Sequence, residues 1–250
     1  TMIRFCHNHG LIQVSNRPQW HTVTGGSRNY VRRMLASIGD ARLNTPVQQV
    51  RRLPPGSGAA GVMVHTARGS ERFDEVVMAC HSDQALALLV DATPDEQRVL
   101  GAIRYHPNRA VLHTDVSVLP QRRAAWAAWN YARAADVGRE QAAVCLHYLI
   151  NQLQPLPWQT PVVVSLNPDP EHEPDARHVL REFDYAHPVF DQAAVAAQRE
   201  LPAIQGRSHV WFCGAWARYG FHEDGLMSAL AVVEGLRAQW GAGSAQQAAA

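Results

Sequence analysis

The chain of 250 residues contains no lysine; all 23 of its basic residues are arginine. That excludes a Schiff-base or other catalytic lysine, and a phosphate-binding loop of the GxxxxGK[ST] kind. Cysteine is scarce. Cys6, Cys80, Cys145 and Cys213 form no CxxC pair, which excludes a zinc ribbon or a disulfide frame. They read instead as small buried apolar residues in a reducing, cytoplasmic compartment. Charge of one sign is also missing: the net charge of +1 gives no reason to expect nucleic acid or a membrane surface as partner. No apolar run approaches the ~20 residues that span a bilayer. No GxSxG elbow and no internal repeat occurs. What is present, 46% hydrophobic and 18% charged residues, is the composition of a globular protein. Its length allows one large domain or two small ones.

Patterning predicts a mixed α/β (α+β) fold. After a loop-rich lead-in over 1–26, the spacing of Tyr30, Val31, Met34 and Ile38 gives an amphipathic helix over 27–38, capped by Ser27 and ended by Gly39. Strands are expected over 42–53, 61–66 and 72–80, the last fully buried because its apolar run is continuous. Helices follow over 82–90, capped by Ser82 or Asp83, and from Pro94. Strands over 102–118, 125–131 and 142–148 suggest a second, mostly antiparallel sheet. The proline-rich stretch 152–174 leaves room only for a strand over 162–166. A strand over 177–185, a helix over 191–200 and a buried strand over 209–213 complete the pattern, and the Gly/Ala/Gln/Ser composition of 241–250 predicts a disordered tail.

Gly56-Ser57-Gly58-Ala59-Ala60-Gly61 has the GxGxxG spelling of a dinucleotide site, with Asp74 and Glu75 near the expected acidic position. The fingerprint needs a buried strand before it and a helix after it. Here a polar, proline-broken segment precedes and a β-rich one follows, so a hairpin loop is the expectation. A nicotinamide site is the weaker reading.

The segment Phe212-Cys213-Gly214-Ala215-Trp216-Ala217-Arg218-Tyr219-Gly220-Phe221-His222-Glu223-Asp224-Gly225-Leu226 carries the most information. It reads as a strand end, a tight turn, an aromatic loop and a helix. Leu226, Ala229, Leu230, Val233 and Leu236 share one helical face. Asp224 is the expected N-cap, and Gly225, Ser228 and Ala229 keep the first turn slim. Such a start presents backbone N–H groups and the positive end of the helix dipole. Glu223 and Asp224 would repel a bare phosphate, so an uncharged electron-rich ring edge suits it better.

Two further stretches join it: Asn8-His9-Gly10-Leu11 followed by 18–30 with Thr22-Val23-Thr24-Gly25-Gly26-Ser27, and Leu112-His113-Thr114-Asp115 followed by 126–131 with Trp129-Asn130-Tyr131. Together they resemble the C-terminal part of the flavin-containing amine oxidases and their relatives, nearest to the bacterial "predicted NAD/FAD-binding protein" branch with its Gly-Phe-His-Glu-Asp-Gly run. The resemblance covers most of residues 5–238. It implies FAD as cofactor and a small molecule as substrate, with hydride passing from a C–N or C–C bond to flavin N5. It places Val47 against the adenine and Gly214, Ala215, Phe221, His222, Glu223 and Gly225 around the flavin, Phe221 beside its face and His222 with Glu223 at its pyrimidine edge. It also implies a partial FAD-binding domain over 1–83 and 206–240, with a substrate-binding domain over 84–205 inserted between.

The family's opening GxGxxG strand–turn–helix, which holds the ADP half of FAD, has no counterpart here. The expectation is therefore a truncated piece, or one half of a split flavoprotein whose partner carries that unit; a homodimer is the other expected assembly. As it stands the chain would then be non-catalytic. Many amine oxidases hold a water near N5 with a lysine. Its absence here favours a dehydrogenase or desaturase over a simple amine oxidase.

Several residues carry two readings each. Trp216, Tyr219 and Phe221 form an aromatic wall over the flavin or a core plug. His113 and Asp115, two apart on a strand, form a histidine–carboxylate pair for proton transfer or a cross-strand polar pair. Trp129 and Tyr131 line the substrate cavity or belong to an ordinary strand. His7-Asn8-His9, and His172 in the acidic loop 169–175, have too few neighbouring ligands for a metal.

Overall fold

The structure, a computed structural model, describes residues 21–54, 60–132 and 145–248, and also 10, 12, 13, 15, 16 and 19; side chains are described as far as Gly241. The chain forms two compact units, Thr1–Tyr105 with Pro188–Ala250, and His106–His187. Among the described residues no helix is long and apolar enough to cross a membrane.

In the first unit α1 (Arg28–Ala36) follows Ser27 as expected, yet the Ser27 side chain caps nothing and no residue of the helix is buried. Val31, Met34 and Ile38 stay exposed. Strands β1 (Val47–Arg52), β2 (Val62–Thr66) and β3 (Gly69–Phe73) form an antiparallel meander in that order. The GxGxxG spelling falls in the β1–β2 connection, since Arg52 pairs with Val62. A strand follows it, not a helix, so it is no dinucleotide fingerprint; residues 55–59 lie outside the described residues. Gly61 is glycine for a local reason. Its φ is +119°, and a Cβ there would lie 2.3 Å from the Phe73 carbonyl oxygen.

Strand β4 (Val76–Met78) pairs in parallel with β10 (Val210–Phe212). Around them pack α2 (Ser82–Leu88), α3 (Pro94–Gly101) and α5 (Gln192–Glu200), burying Ala85, Val99, Leu100, Ala194 and Ala197 with Ile103, Ile204 and Phe212. These helices thus share a core with β4 and β10. The resemblance implies an inserted domain over 84–205; the second compact unit is His106–His187. Thr93 caps α3 through a capping box with Glu96, and Pro94 opens its first turn. Glu96 is buried and also receives the Arg52 guanidinium.

The last helix, α6 (His222–Ala248), starts three residues earlier than the capping reading of Asp224 requires. Asp224 sits inside the first turn, and its carboxylate accepts the Phe221 N–H at 3.0 Å. Val232, Ala229 and Leu236 pack on Trp211 and Cys213, while Leu226, Leu230 and Val233 are exposed. The helix rests on the molecule along a narrower stripe than its apolar spacing suggests. It continues to Ala248 where composition predicted a disordered tail; alanine and glutamine are good helix formers.

The second unit is a five-stranded sheet in the order β6 (Trp129–Ala132), β7 (Cys145–Leu149), β8 (Val163–Leu166), β5 (Tyr105–His113), β9 (Val179–Pro188). The β6/β7, β7/β8 and β8/β5 pairs are antiparallel. The short helix α4 (Ile150–Leu153) leads from β7 towards β8. Its apolar core is small: Val118, Leu119, Leu149 and Val163, with Trp126 against them.

Candidate functional site

The site begins where β10 ends. Cys213 N–H donates to the Met78 carbonyl, which holds the strand end against β4. Gly214 N–H donates to Ser228 Oγ at 2.9 Å, and that hydroxyl donates to the Gly225 carbonyl at 2.8 Å. One serine therefore stitches the strand end to the first turns of α6. A Cβ on Gly214 would lie 2.4 Å from Trp216 Nε1, so glycine there lets the indole fold back over the turn. The Trp216 ring is buried in the core, with Nε1–H donating to the Cys80 carbonyl at 2.9 Å.

Gly214, Ala215 and Gly225 are thereby brought together. A Cβ on Gly225 would meet Ala215 at 3.7–4.0 Å, ordinary contact, so both facing surfaces are small. The geometry of a helix start leaves the N–H groups of His222, Glu223 and Asp224 without intrahelical acceptors. The Asp224 carboxylate is held by Phe221 N–H, and Arg218 Nε stands 3.7 Å from it. Its charge is partly met, and the helix start remains a donor edge. Phe221, 42% exposed, stands at the helix start with His222 and Glu223, which are exposed too. Val47 lies apart from them in sequence and sheet, at the exposed start of β1.

Beside the turn is a cavity of about 360 Å³ lined by Phe190, Val195, Gln198, Arg199, Ala217, Arg218 and Tyr219. The Gln198 amide donates to the carbonyls of Trp216 and Arg218, at 2.8 and 2.6 Å, and so ties the loop to α5. The aromatic wall differs from the expected one. Tyr219 lines the cavity, Trp216 is turned into the core and its place is taken by Phe190. Sequence reasoning missed Phe190, although a signal exists. It precedes the α5 cap, Asp191, and both it and Val195 at the fourth helical position line the cavity, the spacing of a hydrophobic staple.

Of the two readings of His113 and Asp115, in the second unit, the histidine–carboxylate pair does not form. His113 Nδ1 accepts the Asp115 backbone N–H at 3.1 Å, and the Asp115 carboxylate accepts the N–H groups of Ser117 and Asp175. Burial pushes the Asp115 carboxyl up, but those donors outweigh it and hold it below its usual range. His113 Nε2 is 2.7 Å from Ser165 Oγ, and Ser165 Oγ is 2.6 Å from His147 Nδ1. With Nδ1 of His113 an acceptor, its Nε2 carries the proton in the neutral ring. Ser165 then donates to His147 Nδ1, and His147 Nε2–H faces Cys145 Sγ at 3.7 Å. All three hydrogen-bonded side chains are buried, and desolvation lowers both histidines, His147 to about 4. His113 is fully buried with both ring nitrogens engaged, so it is not placed to exchange protons with a substrate. Trp129 and Tyr131 project from the edge strand β6 and are exposed, with the Trp129 ring edge-on to Tyr148 at 5.8 Å. Asn130, on the opposite face, is buried and bonds Ala127 and the His147 carbonyl. His172 pairs with Asp169 at 2.8 Å; His7-Asn8-His9 lies outside the described residues.

No protein-family model matches the chain, and neither does any curated protein. Solved structures do match in fold. A protoporphyrinogen oxidase-like protein from Exiguobacterium sp. 255-15 superposes with a TM-score of 0.61 at 15% identity, over 95% of this chain and 57% of its own. A putrescine oxidase variant with redesigned cofactor binding gives 0.57 at 11% identity, over 86% and 53%. A CLA-producing fatty acid isomerase from P. acnes gives 0.53 at 14%, over 80% and 49%. The mixed α/β architecture with antiparallel sheets is therefore a fold that the chain shares with these three structures. The chain spans about half the length of the structures it matches.

Proposed function

We propose that the chain forms part of an FAD-dependent oxidoreductase, with the flavin seated at the junction of β10 and α6. The observation that carries this reading is the stitched turn: Gly214, Ala215 and Gly225 offer two small facing surfaces beside an N-terminal donor edge. That edge fits a flat ring with carbonyl acceptors better than a phosphate, because Glu223 and Asp224 flank it and no lysine is available. Bound there, FAD would supply the hydride acceptor at N5. The backbone of His222 and Glu223 would hold the pyrimidine edge, Phe221 would stand beside the ring, and the backbone at Val47 would meet the adenine. Tyr219 and Phe190 would orient a small-molecule substrate, and Trp129 with Tyr131 would serve a substrate-side sheet. Without lysine to hold a water near the flavin, oxidation of a C–C bond or a dehydrogenation suits the chain better than simple amine oxidation. Cys80, Cys145 and Cys213 are free, which suits a reducing, cytoplasmic setting.

A second reading is favoured by a specific feature. Among the described residues β4 and β10 make a parallel sheet of two strands, with Val77 exposed on it and Leu226, Leu230 and Val233 exposed on α6. Parallel sheets are otherwise covered on both faces. A homodimer mate, or a partner supplying a unit for the ADP half of FAD, would cover this surface, and the chain would then hold FAD only in that complex.

Both readings meet one test: the absorbance spectrum of the purified chain after mixing with FAD and gel filtration. Flavin bands that co-elute with the protein and are lost in Gly225→Leu support the seat at α6. Bands unaffected by that substitution would place the flavin elsewhere. A colourless chain would leave the second reading in force.

A further inference from the structure

The cavity beside the β10–α6 turn has a charge character that bears on the substrate. Of its seven lining residues, none is acidic and two are arginine. Arg199 has no ion-pair partner among the described residues. Arg218 has only Asp224, at 3.7 Å, beyond hydrogen-bond reach. The acids that neighbour this region in sequence are engaged elsewhere: Glu200 by Arg98, and Asp191 by Arg104 and by the cap of α5. Gln198 cannot supply donors either, because both of its amide hydrogens are directed at the Trp216 and Arg218 carbonyls. Those two bonds pin the loop, so the Arg218 side chain extends from a fixed base. The remaining walls, Phe190, Val195, Ala217 and the ring of Tyr219, are apolar.

A half-open cavity whose lining residues include two exposed arginines, several apolar side chains and no carboxylate repels a cation and suits an anion with a hydrocarbon body. Guanidinium forks match carboxylates in particular, because the two N–H donors and two oxygens lie in one plane. At about 360 Å³ the cavity falls within the ~300–1,000 Å³ range of small-molecule sites. We infer that this cavity binds a monocarboxylic acid with an apolar acyl or aryl body, and discriminates against the corresponding amine. As a statement about the substrate it rests on the flavoprotein reading; as a statement about binding it does not.

The test uses the full chain, without flavin, titrated calorimetrically with octanoate, octylamine and octanol at low salt. Octanoate is expected to bind about tenfold or more tightly than octylamine, since a charge-assisted hydrogen bond contributes at least that factor. The preference should collapse in the double variant Arg199→Gln/Arg218→Gln. Arg199→Gln alone, at an exposed side chain clear of Asp224, should already reduce it, which keeps the test valid if the double variant folds poorly. Val195→Trp fills the cavity without changing charge and should abolish binding of all three probes. Equal affinity for octanoate and octylamine overturns the inference, as does a preference that survives the arginine substitutions or binding that survives Val195→Trp. Octanoate selectivity in a chain that retains no FAD supports the site and removes its link to flavin. FAD retained without any carboxylate preference sinks the inference and leaves the flavoprotein reading standing.

Discussion

In the unit formed by Thr1–Tyr105 and Pro188–Ala250 the largest fully buried side chains include Phe212, Leu100, Ile103 and Ile204; in His106–His187 they are His113 and His147, followed by Val111 and Val163. The first unit gathers strand, helix and loop residues into one apolar cluster, with Glu96 and Asp224 as buried acids among the described residues. The second has four clustered apolar residues, and its buried set also holds Asn108, His113, Asp115, Asn130, His147 and Ser165. Apolar burial is additive and nearly indifferent to pH. A buried polar network works otherwise. Each member needs its partner, and the order of donors fixes one tautomer for each ring. The second unit should accordingly respond to acid and to single polar deletions, and the first to loss of packing, with the buried Arg52–Glu96 pair as the exception.

The largest expected effect falls in the first unit, at that exception. Glu96→Ala removes the buried partner of the Arg52 guanidinium, which keeps Asp91 at 3.2 Å, and also breaks the capping box with Thr93; the two losses together should cost about 3–4 kcal/mol in a urea titration. A cost below 1 kcal/mol would mean that the pair is solvated. Next is the response to acid. Burial holds His147 at about 4, below the ~6.5 of an unfolded chain. The unfolded state therefore binds the extra proton first, and stability falls as pH drops from about 6.5 to 4, by on the order of 3 kcal/mol. Urea midpoints measured across that interval should show the slope in wild type and a shallower one in His147→Gln; parallel slopes would reject the assignment. Ser165→Ala removes the hydroxyl between the two histidines and leaves a buried donor and a buried acceptor unpaired, a loss of about 1–3 kcal/mol. If the loss matches that of an exposed serine, the network is not holding the sheet. The smallest is Thr93→Ala at the α3 cap, about 1 kcal/mol and independent of pH between 5 and 8, readable as a shift in thermal midpoint.

Some elements were legible because their causes are local. Thr93-Pro94-Asp95-Glu96 contains a cap, a proline for the first turn and the returning carboxylate, and α3 starts there. Asp191 caps α5 by the same logic. The strand–glycine–turn–helix order of 209–226 could be read from composition and spacing. Other features depend on register. His113 and Asp115 share a strand face, as their spacing says. The partner of His113 is nevertheless Ser165, because β8 runs beside both β5 and β7 and places Ser165 opposite Val111 and His147. Nothing within one strand encodes that neighbour. Phe190 and Tyr219 meet across almost thirty residues, and the direction of the Trp216 ring is set by the Cys80 carbonyl.

The sequence by itself determined the element order, the proline that opens α3, the absence of lysine chemistry and the slim start of α6, since each rests on residues within a turn or two of one another; the side-chain caps expected at Ser27, at Ser82 or Asp83 and at Asp224 are not the ones the helices use. Only the tertiary structure decided which aromatics face the cavity, that two arginines line it without a carboxylate, that His113 is sealed in a serine-linked chain, and which stripe of α6 is covered. These are contacts between segments far apart in the chain, and their partners are chosen by strand register and by where each helix finds apolar surface to bury.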